Sequence, residues 1–238
     1  MEIKPIAFIT TPFTQKFGIP RQSMRAESAE GIISVEPEFC DENAFSGLEK
    51  FSHIWLIFDF STAHREKWSP TVRPPRLGGN KRMGVFATRS PFRPNNLGLT
   101  VCRLLKIYKE NGRIFLKVSG IDLLSGTPIY DIKPYIPYAD SIPTAKGSYA
   151  ETEKSHRLNV FIDKGLKSQV PDNIISVAAE CLSDDPRPSY QSDGKEYTMR
   201  IYNYDFTFFV EKDNLTVKRI EKIKELIRCK IKKRLLSL

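Results

Sequence analysis

Six cations share one short, backbone-stiffened segment, Arg73 to Gly98, which reads RPPRLGGNKRMGVFATRSPFRPNNLG. Arg73, Arg76, Lys81, Arg82, Arg89 and Arg93 carry the charge, and no Asp or Glu occurs from Trp68 to Lys109 to neutralise it. Four prolines fix φ and four glycines permit positive φ in the same stretch, so the chain is held in shape as well as charged. A solvated loop of no consequence would mix both signs. Single-sign, braced guanidiniums suit the capture of phosphate or carboxylate oxygens, and so of a polyanion. Elsewhere, Arg21 and Gln22 close a Gly/Pro-bearing loop, as polar readers of a ligand or as two exposed loop residues. His64 falls just past an aromatic strand, where it is either functional or an exposed loop histidine. The cysteines, Cys40, Cys102, Cys181 and Cys229, lie far apart, with no CxxC pair and no Cys/His spacing for zinc. They read as reduced thiols, and no metal is expected.

These residues need strands to position them. Ile6 to Ile9 reads as a short strand stopped by Thr10-Thr11-Pro12, and Gly31 to Val35 as a second. FSHIWLIFDF, Phe51 to Phe60, reads as a central strand buried on both faces. After the basic segment, Leu99 to Lys109 and Arg113 to Leu124 flank Glu110-Asn111-Gly112, a hairpin signal. Many strands, tight turns and little helix make the chain mainly β, with an antiparallel β-barrel or a sandwich as its first domain. The absence of a GxGxxG loop between strand and helix argues against a Rossmann cofactor site.

The 238 residues, 40% hydrophobic and 27% charged, have an ordinary globular composition and room for a main domain and an appendage. A net charge of +9 and a pI near 9.3 favour RNA, DNA or acidic membranes as partners. The N-terminus has no secretory pattern and no run approaches a membrane span, so a cytoplasmic protein is expected. The domain boundary is placed where the chain turns polar, between Ser141 and Arg157, giving domains of 1–145 and 146–217. The second is small and α+β, with a helix near Asn173 to Leu182 and two strands in YTMRIYNYDFTFFVEKDNLTVKRI that turn near Asp213-Asn214. Ile220, Ile223, Ile227, Ile231 and Leu235 predict an amphipathic helix over 218–238, with nine basic residues against Glu221 and Glu225. That helix could pack with a solvated basic face, contact RNA, or lie on a membrane surface.

Longer motifs add a resemblance. Pro20-Arg21-Gln22, GLEKFSHIW from Gly47, TVRPPRLGGNKRMGVFATRSPFRPNNLGLT and DLLSGTPIYDIKPY from Asp122 resemble the TsaA-like family, and DPRPSY at Asp185 to Tyr190 resembles the C-terminal domain of its bacterial TrmO branch. The resemblance covers most of residues 1–210. It implies a β-barrel, non-Rossmann methyltransferase that binds S-adenosylmethionine and methylates N6 of N6-threonylcarbamoyladenosine next to the anticodon of tRNA. It also implies a homodimer with the cofactor near the subunit interface. Carried over by position, the cofactor residues are Arg21, Gln22, Ser23, Met24, Ala63, His64, Arg89, Leu99, Leu123, Leu124, Ser125 and Gly126. Arg89 suits the methionine carboxylate or an RNA phosphate. Ser61 and Ser125 depart from the His and Asp the family often has there, which leaves open an RNA-binding barrel without catalysis, or an enzyme with another acceptor.

The acceptor nitrogen belongs to a urea whose proton must leave, so a base or a polarising hydrogen bond is expected. Asp131, Tyr135 and His64 are the candidates, Asp131 otherwise capping a turn and Tyr135 otherwise packing the barrel. Lys133 is available to the threonyl carboxylate. Arg73, Arg76, Lys81, Arg82 and Arg93 are expected to hold RNA, with Phe92 and Tyr190 stacking on bases. Phe86, inside the apolar run GVFA, is read as core.

Overall fold

Strands form where β-branched and aromatic residues alternate with polar ones, and turns where glycine, asparagine or proline interrupts them. The computed structural model describes residues 2–74, 77, 81–151, 157–187 and 194–223. In it β1 (Ala7–Thr10), β2 (Glu30–Val35) and β3 (His53–Asp59) precede the basic segment, and β4 (Thr71–Val72), just before that segment, pairs with β5 (Met83–Gly84) inside it as a small ribbon. β6 (Leu97–Glu110), β7 (Arg113–Ser119) and β8 (Thr127–Pro134) follow. Six strands close into an antiparallel barrel in the order β1-β2-β7-β6-β3-β8, with Ala7 of β1 opposite Ile129 of β8. Closure leaves the barrel without a free sheet edge.

Every second side chain fills the interior. Ile9, Ile33, Ile54, Leu56, Cys102, Leu116, Val118 and Ile129 are fully buried. The strand read as buried on both faces is buried on one: Trp55 and Ile57 alternate outward and stay half-exposed. A barrel wall has one inner face, and an apolar run cannot reveal that its outer face lacks a covering layer. The hairpin at Asn111-Gly112 is present, with φ of 49° and 77°, the left-handed pair that an Asn-Gly turn favours.

Beyond β8, the short α1 (Pro137–Asp140) leads to β9 (Asn159–Ile162), α2 (Lys164–Lys167) and α3 (Asp172–Ser183), then to β10 (Tyr197–Ile201), β11 (Tyr204–Glu211) and β12 (Asn214–Lys222). The last three strands and β9 form a sheet in the order β10-β11-β12-β9, with β9 parallel to β12. Ile174, Val177, Ala178, Cys181 and Leu182 repeat at helical spacing and form the buried face of α3. Two expectations are corrected here. The segment read as two strands holds three, because Tyr202 adopts φ 52° and turns the chain at Tyr202-Asn203 without a glycine to signal it. The helix read from Lys218 starts instead as strand, since Leu215, Val217 and Ile220 are buried along β12 through Lys222. Residues 224–238 of that expected helix lie outside the described residues.

The loop between β1 and β2, Thr11 to Ala29, binds the barrel to the C-terminal sheet. Phe17 stacks on Tyr197 and Phe208 at 6.2 and 6.5 Å between ring centroids. Gly18, at φ 92°, lies against Met199 with no room for a Cβ. Arg25 Nε donates to Asp184 Oδ1 at 2.6 Å, the Ser28 amide to Glu180 Oε2 at 2.9 Å, and the Tyr202 amide to the Pro12 carbonyl at 2.7 Å. Buried residues of both parts form one contiguous apolar cluster.

Candidate active site

Where β3 ends and β6 and β8 begin, the barrel opens into a cleft of 360 Å³. Segments far apart in sequence converge on it: Pro20 to Gln22, Asp59 to Ala63, Arg89 with Phe92, Leu99, and Asp122 to Leu124. Its apolar floor is Phe58, set edge-on to Phe60 at 4.8 Å. Gly98 is buried beneath the Phe58 ring and leaves a Cβ no space. At the exposed rim Arg89 Nη1 donates to Gln22 Oε1 at 2.5 Å.

Asp122 lines the same cleft and accepts from Thr100 Oγ1 at 2.6 Å. Burial pushes its pKa up, while the Thr100 hydroxyl, its own amide, the Arg89 charge and the Ser23 amide pull it down without cancelling the rise. An acid whose folded pKa exceeds its unfolded value costs stability as pH rises through that window, because the unfolded chain solvates the carboxylate better. Asp122→Asn removes this cost. Thermal unfolding of the variant at about pH 7 should therefore be no earlier than the parent's, and any gain should shrink towards about pH 4. An Asn variant that melts several degrees early at neutral pH would make Asp122 a structural anchor rather than a group reserved for the cleft.

Of the expected cofactor residues, Arg21, Gln22, Ala63, Arg89, Leu99, Leu123 and Leu124 line the cleft. Arg21 donates from Nη2 to the carbonyls of Asp185 (3.2 Å) and Arg187 (2.7 Å), which ties the loop to the chain after α3. Ser23 offers its amide to Asp122. Met24, at φ 61°, donates its amide to Gly120 O at 2.8 Å and braces the loop from behind. Ser125 and Gly126 also act as braces: Ser125 Oγ accepts from the Thr11 amide at 3.3 Å, and the Gly126 amide donates to Ile9 O at 2.8 Å. The Ser125 departure is thus used inside the protein, whereas Ser61 is exposed on the cleft wall. His64 stands beside the cleft with Nε2 2.7 Å from Asp59 Oδ1.

Asp131 and Tyr135 do not reach the cleft. β8 runs antiparallel to β3, so each residue along YDIKPY moves further from the end where β3 opens into it. Asp131 accepts from the Ile132 amide at 2.9 Å and pairs with Lys133 at 2.9 Å, and Tyr135 lies against Trp55 and His53 at the start of β3. Among the expected RNA contacts, Arg73, Lys81 and Arg82 are exposed, with Arg82 also donating to Thr71 Oγ1 at 2.8 Å. Arg93 is half-buried and donates to the carbonyls of Val85 and Thr88 at 3.2 and 2.8 Å, pinning the turn between them. Arg76 and Tyr190 lie outside the described residues. Phe86 is not core: Val85 takes the buried place and leaves Phe86 71% exposed.

Sequence reasoning missed Asp59, Thr100 and Asp122, and also Lys16, whose Nζ donates to the Thr62 carbonyl at 2.9 Å across the cleft wall. A lone carboxylate ending an apolar run, as in IWLIFD, was the available signal for Asp59, and a lone carboxylate just past the strand RIFLKVS was the signal for Asp122. Cys40, Cys102 and Cys181 are free, and burial pushes the Cys102 and Cys181 thiols far up, so both are inert. Among the described residues there is no cluster able to hold a metal and no helix long and apolar enough to cross a membrane.

A closed six-stranded barrel with a cleft at one end and a four-stranded sheet docked beside it defines an architecture unrelated to the Rossmann crevice. The same architecture appears in the crystal structure of TrmO from Pseudomonas aeruginosa, to which the chain is similar with a TM-score of 0.77 and 34% identity over 93% of this chain and 97% of that one. The model of the tRNA-methyltransferase O N-terminal domain matches residues 8–141, and that of the TrmO C-terminal domain matches residues 158–223. The Escherichia coli (strain K12) protein named tRNA (adenine(37)-N6)-methyltransferase is 38% identical over 214 residues, covering 86% of this chain and 91% of that protein. A Pseudomonas aeruginosa protein named putative S-adenosylmethionine-dependent methyltransferase RcsF is 42% identical over 215 residues, covering 85% and 90%. The chain belongs to the TrmO family of tRNA methyltransferases.

Proposed function

We propose that this chain methylates N6 of N6-threonylcarbamoyladenosine beside the anticodon of tRNA, with S-adenosylmethionine as donor. The observation that carries the reading is the convergence of five remote segments on one cation-rimmed cleft at the barrel end. The cleft's residues fit the cofactor. Phe58, Leu99, Leu123 and Leu124 offer an apolar slot for adenine, and Arg89 a cation for the methionine carboxylate. Bound there, S-adenosylmethionine supplies an electrophilic methyl group on a sulfonium. The protein's own share is alignment and the handling of one proton. His64 suits the second task, because Nε2–H donating to Asp59 fixes the tautomer and leaves Nδ1 as the basic nitrogen. Arg73, Lys81 and Arg82 supply the charge that draws in the anticodon loop.

A homodimer completes this reading. Leu97, Leu99 and Leu105 are exposed on β6, and Leu99 and Val101 sit opposite Ile57 and Trp55 of β3 on the barrel's outer face. That apolar strip meets the cleft at Leu99 and suits burial against a second copy. Asp131 and Lys133, opposite Ile57 and Trp55 on β8, border it, so any part they take in the chemistry would be played across the dimer. Acting on tRNA would place the protein in the cytoplasm.

Purified protein incubated with S-adenosylmethionine and tRNA rich in threonylcarbamoyladenosine should add one methyl group to that nucleoside, read by nucleoside mass spectrometry. Methylation of a different nucleoside, or of none, overturns the proposal.

A further inference from the structure

Next to the cleft, and sharing Ala63 and Phe92 with it, is a second concavity of 110 Å³ bounded by Arg65, Glu66, Trp68, Arg93 and Asn96. Phe92 is the partition between the two. The Arg65 guanidinium lies over its ring at 3.5 Å, and so stiffens that partition. At the lip, Trp68 is 51% exposed and Phe86 71% exposed, their ring centroids 6.3 Å apart and their planes tilted by 34°. The Arg93 guanidinium, anchored on the Val85 and Thr88 carbonyls, lies 5.6 Å from the Phe86 centroid.

A single exposed aromatic needs no explanation, but two side by side, with cations on either hand, form a surface that a flat π-system would cover. The remaining walls narrow the choice. Asn96 Nδ2 donates to the Pro91 carbonyl at 2.6 Å, which leaves its Oδ1 as an acceptor, and Glu66 adds a carboxylate. The niche therefore presents acceptors to a base carrying an exocyclic amine.

We infer that the niche walled by Phe92 and edged at its lip by Trp68 and Phe86 takes the nucleobase adjacent to the methyl acceptor, with Phe92 splaying the two bases apart. This rests on the tRNA reading of the neighbouring cleft. Single-stranded RNA is commonly read with its bases unstacked onto aromatic faces, and a partition between two concavities supplies the physical means to separate consecutive bases.

A double-mutant cycle tests it. Anticodon stem-loop RNA is made intact and with an abasic nucleotide on either side of the acceptor, and each form is titrated by fluorescence anisotropy against the parent protein, Trp68→Ala and Phe86→Ala. One abasic position should weaken binding to the parent by about tenfold, and Trp68→Ala should weaken binding of intact RNA by about the same factor. The two losses should not add, and Trp68→Phe should restore most of the affinity. Calorimetric binding of S-adenosylmethionine should be the same in all variants. Additive losses at both positions, or none in Trp68→Ala and Phe86→Ala, overturn the niche alone while leaving the methylation reading intact. A parent protein that binds no anticodon stem-loop overturns both. Both side chains are largely exposed, so an unchanged melting temperature is expected and separates lost recognition from lost fold.

Discussion

Replacing Arg89 by alanine should weaken S-adenosylmethionine binding by about a hundredfold, read by calorimetry. A charge-assisted hydrogen bond lost from a partly enclosed site is worth about 2–3 kcal/mol, and about 1.4 kcal/mol is a factor of ten. Two local effects add to this. Gln22 loses the donor that holds its side chain over the cleft, and Asp122 loses a cation that restrains the rise of its pKa. Without Arg89 the carboxyl moves further towards its neutral form, and the electrostatics of the wall change with it. Arg89→Lys should recover only part of the affinity, since an ammonium restores the charge but not the planar fork. Titrating tRNA against the same variants separates the two ligands that an arginine here could serve. A loss confined to RNA, with cofactor binding intact, would move Arg89 from the carboxylate of the cofactor to a phosphate of the substrate.

Gly98→Val should cost about 3 kcal/mol of stability and lower the melting temperature by about 6–12 °C. The demand at this position is for space, not for an unusual backbone angle. Gly98 lies opposite Phe58 in the β3–β6 pairing, and an added Cβ would occupy the volume of the ring. Phe58 cannot easily yield, because it is buried to 5% exposure and set against Phe60. Any ring movement that did accommodate valine would raise the floor of the cleft, so cofactor affinity should fall together with stability. Gly98→Ala should show the same pair of effects at smaller size, and trimming Phe58 to leucine in that background should return part of the stability. A urea midpoint unchanged by Gly98→Val would mean that the floor is pliable and that glycine serves some other purpose there.

Much of the barrel could be read because its strands carry local signals. Asn111-Gly112 announces its hairpin, and the residues of β2 and α3 repeat with the period of their own elements. What escaped was set by partners distant in sequence. Tyr202 turns the chain by adopting a left-handed φ that no residue type there advertised, and Ile220 fits a helical repeat and a strand equally until β11 is seen beside it. The site followed the same division. Arg21, Gln22 and Arg89 were legible from motif and charge, yet the structure shows Arg21 turned to the carbonyls after α3, an arrangement that needs both ends of the chain. Asp131 drew attention as an acid in a motif, whereas Asp122, two residues before Leu124, owes its properties to Thr100 and to its surroundings. Phe86 was misjudged because hydrophobicity in a four-residue run does not say which member the turn ejects.

The parallel pairing of β9 with β12 has a consequence for how the protein is made. Asn214 to Val217 must emerge from the ribosome before Asn159 to Ile162 can find their partner, whereas the barrel has all its strands once Pro134 has appeared. Domains tend to fold in order of synthesis. The barrel therefore stands ready well ahead of the sheet that clasps its Phe17–Gly18 loop, and the wall bearing Arg21 and Gln22 gains its support last. A nascent chain of this design acquires its shape early and its competence late.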